Sequence, residues 1–296
     1  MDPEEYRKRY EAELAEAAPL TQPGRRRGMA PTAAARATPA ARADAIAVAP
    51  LATEDLGQTV ADLLVILRKR DEPLRVRMAA LQALGGLDFL GARFDPFRAD
   101  YKQALRDVAT DPEPELRERA LELLAIDKDP FAQELLARGL KEPKEALVSE
   151  AKAIQFLGYD DHGEFVPLVR ELYERTTGAA REEALRVLAT DPQSEQLFTR
   201  LLKDKSETRG VRRLSASGLQ SLNPDAFEKT AHRIVADEDD DNDIRAASLA
   251  ALAHGREARE KAPDPKLVAT VQKVGERTRS QALRASARRF LQSTEE

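Results

Sequence analysis

Apolar residues recur at the i, i+3, i+4 spacing of helices from about Leu51 to Ser293, and no stretch alternates with period two over a useful length. Seven segments share one pattern: a polar, often acidic turn, an arginine, then A-L-x-x-L. They begin near Leu74, Glu115, Val148, Gly178, Val211, Asp243 and Ala282, as in L-R-V-R-M-A-A-L-Q-A-L and D-I-R-A-A-S-L-A-A-L-A. Anchored on Leu81, Leu121, Ile154, Leu185, Leu219, Leu249 and Arg288, they repeat roughly every 30–40 residues, the period of helical pairs. Partner helices begin near Glu54, Pro96, Pro130, Glu164, Ser194, Asn223 and Asp264, with stripes such as Leu197, Phe198, Leu201 and Leu202. Asp95-Pro96, Asp129-Pro130 and Asn223-Pro224 have the form of helix starts, and Gly85-Gly86 of a helix end. The pattern predicts an all-α chain: a charged helix over residues 1–18, a basic Pro/Ala-rich disordered linker over 19–50, and helical hairpins over 51–293.

A proline- or aspartate-rich turn, an arginine about four residues before A-L-x-x-L, and this period resemble HEAT repeats. The short bacterial type, named after phycobilisome lyases, is the nearest. The resemblance implies an α-solenoid of about seven hairpins, each burying its apolar stripe against its neighbours. Three positions depart from it: Glu150 and Ser215 stand where other repeats carry arginine, and Arg288 replaces the first leucine of the last repeat, which suits a terminal helix facing water.

At about 100° per residue, an arginine four positions before the anchoring leucine lies about 40° from it. Arg77, Arg117, Arg181, Arg245 and Arg284 therefore sit beside the packed face, where they form a structural ladder with stems packed and guanidinium groups on turn carboxylates or carbonyls. A phosphate-reading ladder is the alternative use of the same five residues. The opposite face of these second helices, the concave side in HEAT-like stacks, carries the candidate partner-binding residues Arg75, Arg119, Lys152, Arg186, Arg213, Gln220, Ala247 and Ala250. Glu115, Glu122 and Glu183 share it, so its charge is mixed, which suits a protein or peptide more than nucleic acid. The alanines of D-I-R-A-A-S-L-A-A-L-A-H-G leave room for a docked peptide or for the chain's own N-terminal arm.

The 296 residues carry a formal charge of -5, no cysteine, no tryptophan and three histidines. No run is long and apolar enough to span a membrane, and the charged N-terminus has no signal-peptide core. Disulfides, thiolate nucleophiles and cysteine-ligated metals are excluded. His162, His232 and His254 have no metal-ligand spacing, and no nucleotide-loop or nucleophile-elbow motif occurs. The acidic stretch Asp239–Asp243 lacks the glycine and glutamate of an EF-hand loop, so it is expected to be a turn that caps the next helix and meets Arg245. The expectation is a cytoplasmic, non-enzymatic bacterial scaffold or adaptor, with no cofactor and no metal, that binds a protein or peptide on its concave face. The alternative is an accessory nucleic-acid binder using Arg25, Arg26 and Arg27 of the arm together with the inner face. Enzymes on this fold, bilin lyases and DNA glycosylases, are the remotest readings, since the glycosylase surface is basic and uses tryptophan.

Overall fold

The computed structural model describes residues 38–48, 55–160, 163–257 and 264–293, and among them there is no strand. Helix α1 spans Pro39–Val48. Seven hairpins follow: α2 (Leu56–Arg68) with α3 (Leu74–Asp88), α4 (Arg98–Val108) with α5 (Pro114–Ile126), α6 (Pro130–Lys141) with α7 (Glu150–Leu157), and α8 (Val166–Arg175) with α9 (Gly178–Leu188). The last three are α10 (Glu195–Lys203) with α11 (Arg209–Leu222), α12 (Pro224–Ala236) with α13 (Asn242–Glu257), and α14 (Pro265–Arg277) with α15 (Gln281–Gln292). This is the all-α solenoid that the hydrophobic period predicts.

Local chemistry fixes the helix starts. Asp129, Asn223 and Asp264 each precede a proline and accept a backbone amide of the first turn, from Phe131, Ala226 and Lys266. Asp95-Pro96 instead opens a 3-10 turn, Asp95–Phe97, and α4 begins after it. Gly85-Gly86 ends nothing: α3 runs through both to Asp88, and a longer helix buries Leu87.

Second helices of successive hairpins pack on one another along the whole stack. From α7 to α15 they lie closer together than the first helices do, which puts the second row on the inside of the curve. The core is one continuous band between the rows, built from Leu67, Leu84, Leu121, Ile154, Leu185, Phe198, Leu249 and Phe290. Arg288 is exposed at the far end of the stack.

The linker and the solenoid have a different boundary from the one expected. Residues 39–48 are helical, and α1 packs on α3 as the first member of the second row, with Ala43 buried. Its Arg42 pairs with the buried Glu72 in the α2–α3 turn. A helix whose apolar side is mostly alanine is hard to tell by composition from a disordered Pro/Ala segment, and only the neighbour it covers distinguishes the two. The expected helix over 1–18 and the tail residues Arg25, Arg26 and Arg27 lie outside the described residues.

Candidate functional site

The most regular chemistry lies along the edge formed by the turns within hairpins. Arg77 donates from Nε to the Leu67 carbonyl (2.9 Å) and from its two terminal nitrogens to both carboxylate oxygens of Asp111 (3.1 and 2.5 Å). Arg212 does the same with the Leu202 carbonyl (3.0 Å) and Asp240 (2.6 and 2.8 Å). In both, an arginine of one hairpin ties a carbonyl in the last turn of its own first helix to a carboxylate in the next hairpin's turn. Arg181 reaches Glu207 (2.8 Å) and the Tyr173 hydroxyl (2.7 Å), with its guanidinium carbon 4.9 Å from the Tyr173 ring centroid. Arg117 donates to the carbonyls of Leu147 (2.6 Å) and Asp111 (2.7 Å). Arg42 with Glu72 is the same kind of link one step earlier, so α1 supplies the first rung. Arg245 stays within its own hairpin, on Val235 O (2.9 Å) and Asn242 Oδ1 (3.1 Å), and Arg284 donates to Thr278 O (2.5 Å).

The fifth repeat corrects the register read from the sequence. Arg212, not Ser215 or Arg213, occupies the ladder position, because Arg77, Arg212 and Arg245 all bond the carbonyl ten residues earlier. The equivalent of Leu81 is therefore Ala216, three residues before Leu219. Ser215 is buried and donates its hydroxyl to Val211 O (2.8 Å). The acidic stretch caps α13 as expected, through Asp241 accepting from the amides of Asp243 and Ile244. Its ladder partner, however, is Arg212 of the preceding hairpin and not Arg245.

A second set of links, not read from the sequence, runs along the opposite edge. Arg106 reaches Asp129 (2.7 Å) and Arg170 reaches Asp191 (2.9 Å), each aspartate being the cap that opens the next hairpin. The signal was present in Asp129-Pro130 and Asp191-Pro192, but the sequence did not say which basic residue each would meet. Burial alone would raise the carboxyl pKa of Asp111, Asp129 and Asp191; hydrogen bonds from their arginines, with Ser194 first at Asp191, and from backbone amides outweigh it and hold all three below the usual carboxylate range. A depressed folded-state pKa stabilises above the unfolded value, near 4, and that stabilisation is lost as pH falls through the folded values. The melting temperature should therefore be nearly flat from pH 7 to about 5 and drop steeply below about 4. A flat profile down to pH 3 in thermal melts would contradict these links.

The candidate partner-binding residues lie on the second-row helices, on the side away from the core. Arg75, Arg119, Arg186 and Arg213 are exposed, and Lys152 is half-buried over the Phe156 ring. Most already have a carboxylate neighbour: Asp44 for Arg75 (3.6 Å), Glu122 for Arg119 (2.6 Å), Glu118 for Lys152 (3.4 Å) and Glu183 for Arg186 (2.5 Å). Gln220 is less available than the sequence implied, since it donates to Ala251 O (2.9 Å) and links α11 to α13. Ala247 and Ala250 are half-buried in α13. Between α1, α3 and the start of α5 lies a cavity of about 360 Å³, lined by Ala43, Leu74, Arg75, Met78, Gln82 and Glu115.

Among the described residues no group of three or more His, Cys, Asp or Glu side chains is arranged to hold a metal ion, and no helix is long and apolar enough to cross a membrane. His232 faces Thr270 Oγ1 at 3.5 Å, His254 is exposed, and His162 lies outside the described residues. No family model matches the chain, and no curated protein matches it. Among solved structures, human deoxyhypusine hydroxylase in complex with glycerol is similar at 14% sequence identity and a TM-score of 0.37, over 80% of this chain and 96% of that one. A likeness of that size carries no argument about what this chain does.

Proposed function

We propose that the chain is a non-enzymatic, HEAT-type repeat scaffold that holds a protein or peptide partner along its inner, second-row face. The observation that carries this is the character of that face. It offers basic and acidic side chains, most of the basic ones paired with a carboxylate, on helices that the arginine links hold in fixed register. Pre-ordered polar groups lose little entropy on binding, and a mixed-sign surface with a part-apolar cavity at one end suits a polypeptide. An accessory nucleic-acid role has less support, because Arg75, Arg119, Lys152 and Arg186 all have acidic neighbours that repel phosphate.

The test is affinity capture from cells of the source organism with full-length chains. Arg119→Glu with Arg186→Glu, and separately Ala247→Glu with Ala250→Glu, should each release the captured partner. Val65→Glu, on the outer side of α2, should retain it. Retention of the same partner by every inner-face variant would overturn the proposal. Binding of labelled DNA or RNA at low salt that falls steeply as salt rises would favour nucleic acid instead.

A further inference from the structure

The third hairpin breaks the ladder in an informative way. Glu150 stands at the same separation from Leu140 as Arg77 does from Leu67, so a carboxylate occupies the arginine position. The Leu140 carbonyl is instead bonded from the next hairpin, by Arg175 (2.8 Å). With no arginine stem filling the space between the end of α6 and the start of α7, a cavity of about 320 Å³ remains. Its walls are Leu135, Leu136, Leu140, Leu147, Val148 and Ala153. The turn that roofs it lies close against α6, since a Cβ on Gly139 would come within 2.9 Å of the Ala146 Cα. Glu150 lines the cavity, is exposed, and makes no ion pair with any described residue. Glu145, on the same turn, is already paired with Arg138 at 3.8 Å.

We propose that this cavity binds an arginine side chain of the partner polypeptide, its methylene stem against the leucines and its guanidinium on Glu150. Two features select that ligand over a purely apolar one. The walls match a hydrocarbon stem, while Glu150, the one charged residue of the lining, offers a carboxylate that an apolar side chain would leave unused. Along this same edge, Arg77 and Arg212 show how the fold accommodates such a group, with the stem buried between hairpins and the fork on a carboxylate. In the third hairpin Glu150 takes the arginine's own position, so the charge is reversed: the fold supplies a carboxylate and the arginine comes from outside. The assignment rests on the partner-binding proposal, but its test does not require the partner.

The test uses the full-length chain with labelled leucine and valine methyl groups, titrated with N-acetyl-arginine methyl ester and with the isosteric, neutral citrulline ester. Methyl signals of Leu135, Leu147 and Val148 should shift saturably with the arginine ester, and the citrulline ester should bind about three- to tenfold more weakly. Because Glu150 is exposed, E150Q should fold normally; it should weaken the arginine ester to the level of the citrulline ester and leave the latter unchanged. Equal affinity of the two esters for the unaltered chain, or no saturable shift, would overturn the proposal. Shifts that arise only after Arg25, Arg26 and Arg27 are replaced by alanine would assign the site to the chain's own arm and would equally overturn it. Failure here leaves the inner-face proposal standing, and loss of the inner-face proposal in the capture experiment would not alter these shifts.

Discussion

Arg77→Ala and Arg212→Ala should each lower the unfolding free energy by about 3–5 kcal/mol, whereas Arg213→Ala should change it by less than about 0.5 kcal/mol. Arg77 and Asp111 are each 1% exposed, and Arg212 and Asp240 are 3% and 7% exposed. Removing the arginine leaves a desolvated carboxylate facing a cavity, together with a buried carbonyl, Leu67 O or Leu202 O, that has lost a donor. Arg213 is the exposed neighbour, so its truncation removes only solvated atoms. Because each hairpin contacts only its neighbours, Arg77→Ala should lose amide-exchange protection first in α2 to α5 and leave α12 to α15 intact. Urea unfolding followed by circular dichroism gives the energies, and hydrogen exchange gives the location. An Arg213→Ala cost equal to that of Arg212→Ala would refute the corrected register. Arg77→Met with Asp111→Leu should recover most of the loss, since replacing both members of a buried pair removes the stranded charge.

The second large effect concerns glycine. A Cβ on Gly218 in α11 would stand 2.9 Å from the ring of Phe198, which is fully buried in α10. Neither can move easily: Phe198 has core on every side, and α11 is held by Arg212. Gly218→Val should therefore cost about 1–3 kcal/mol through overpacking, which outweighs the few tenths gained because valine is a better helix former than glycine. Gly86 is the opposite case, an exposed glycine inside α3 with nothing within 4 Å of an added Cβ. Gly86→Ala should stabilise by about 0.5–1 kcal/mol. Thermal melts of the two variants side by side should move in opposite directions, and a neutral Gly218→Val would mean that α10 and α11 pack less tightly than described.

The helices themselves were legible because a 3.6-residue stripe is a local property, visible in any ten or so residues such as those around Phe198 or Leu249. The number of hairpins followed from the repeat, and the inward lean of Arg77, Arg117 and Arg181 followed from helix geometry alone. Alanine hides two features from any local reading. It makes α1 resemble the linker in composition, and at Ala216 it conceals the anchor of the fifth repeat, so that Leu219 stands out as the anchor and Ser215 falls at the ladder position that Arg212 occupies.

What the sequence determined by itself is therefore the architecture: an all-α chain whose stripes oblige successive helical pairs to stack, with basic groups spaced to meet the turns. What only the tertiary structure decided is who meets whom. Asp240 belongs to Arg212 rather than Arg245, Arg106 and Arg170 secure the opposite edge, α1 extends the second row through Arg42 and Glu72, and Glu150 faces a cavity that no arginine of the ladder fills. These pairings join residues roughly 20 to 35 positions apart, and nothing local to either partner encodes them. They are set by how far each hairpin is rotated on the last, a quantity that emerges only when all the leucines and alanines between the rows are packed together.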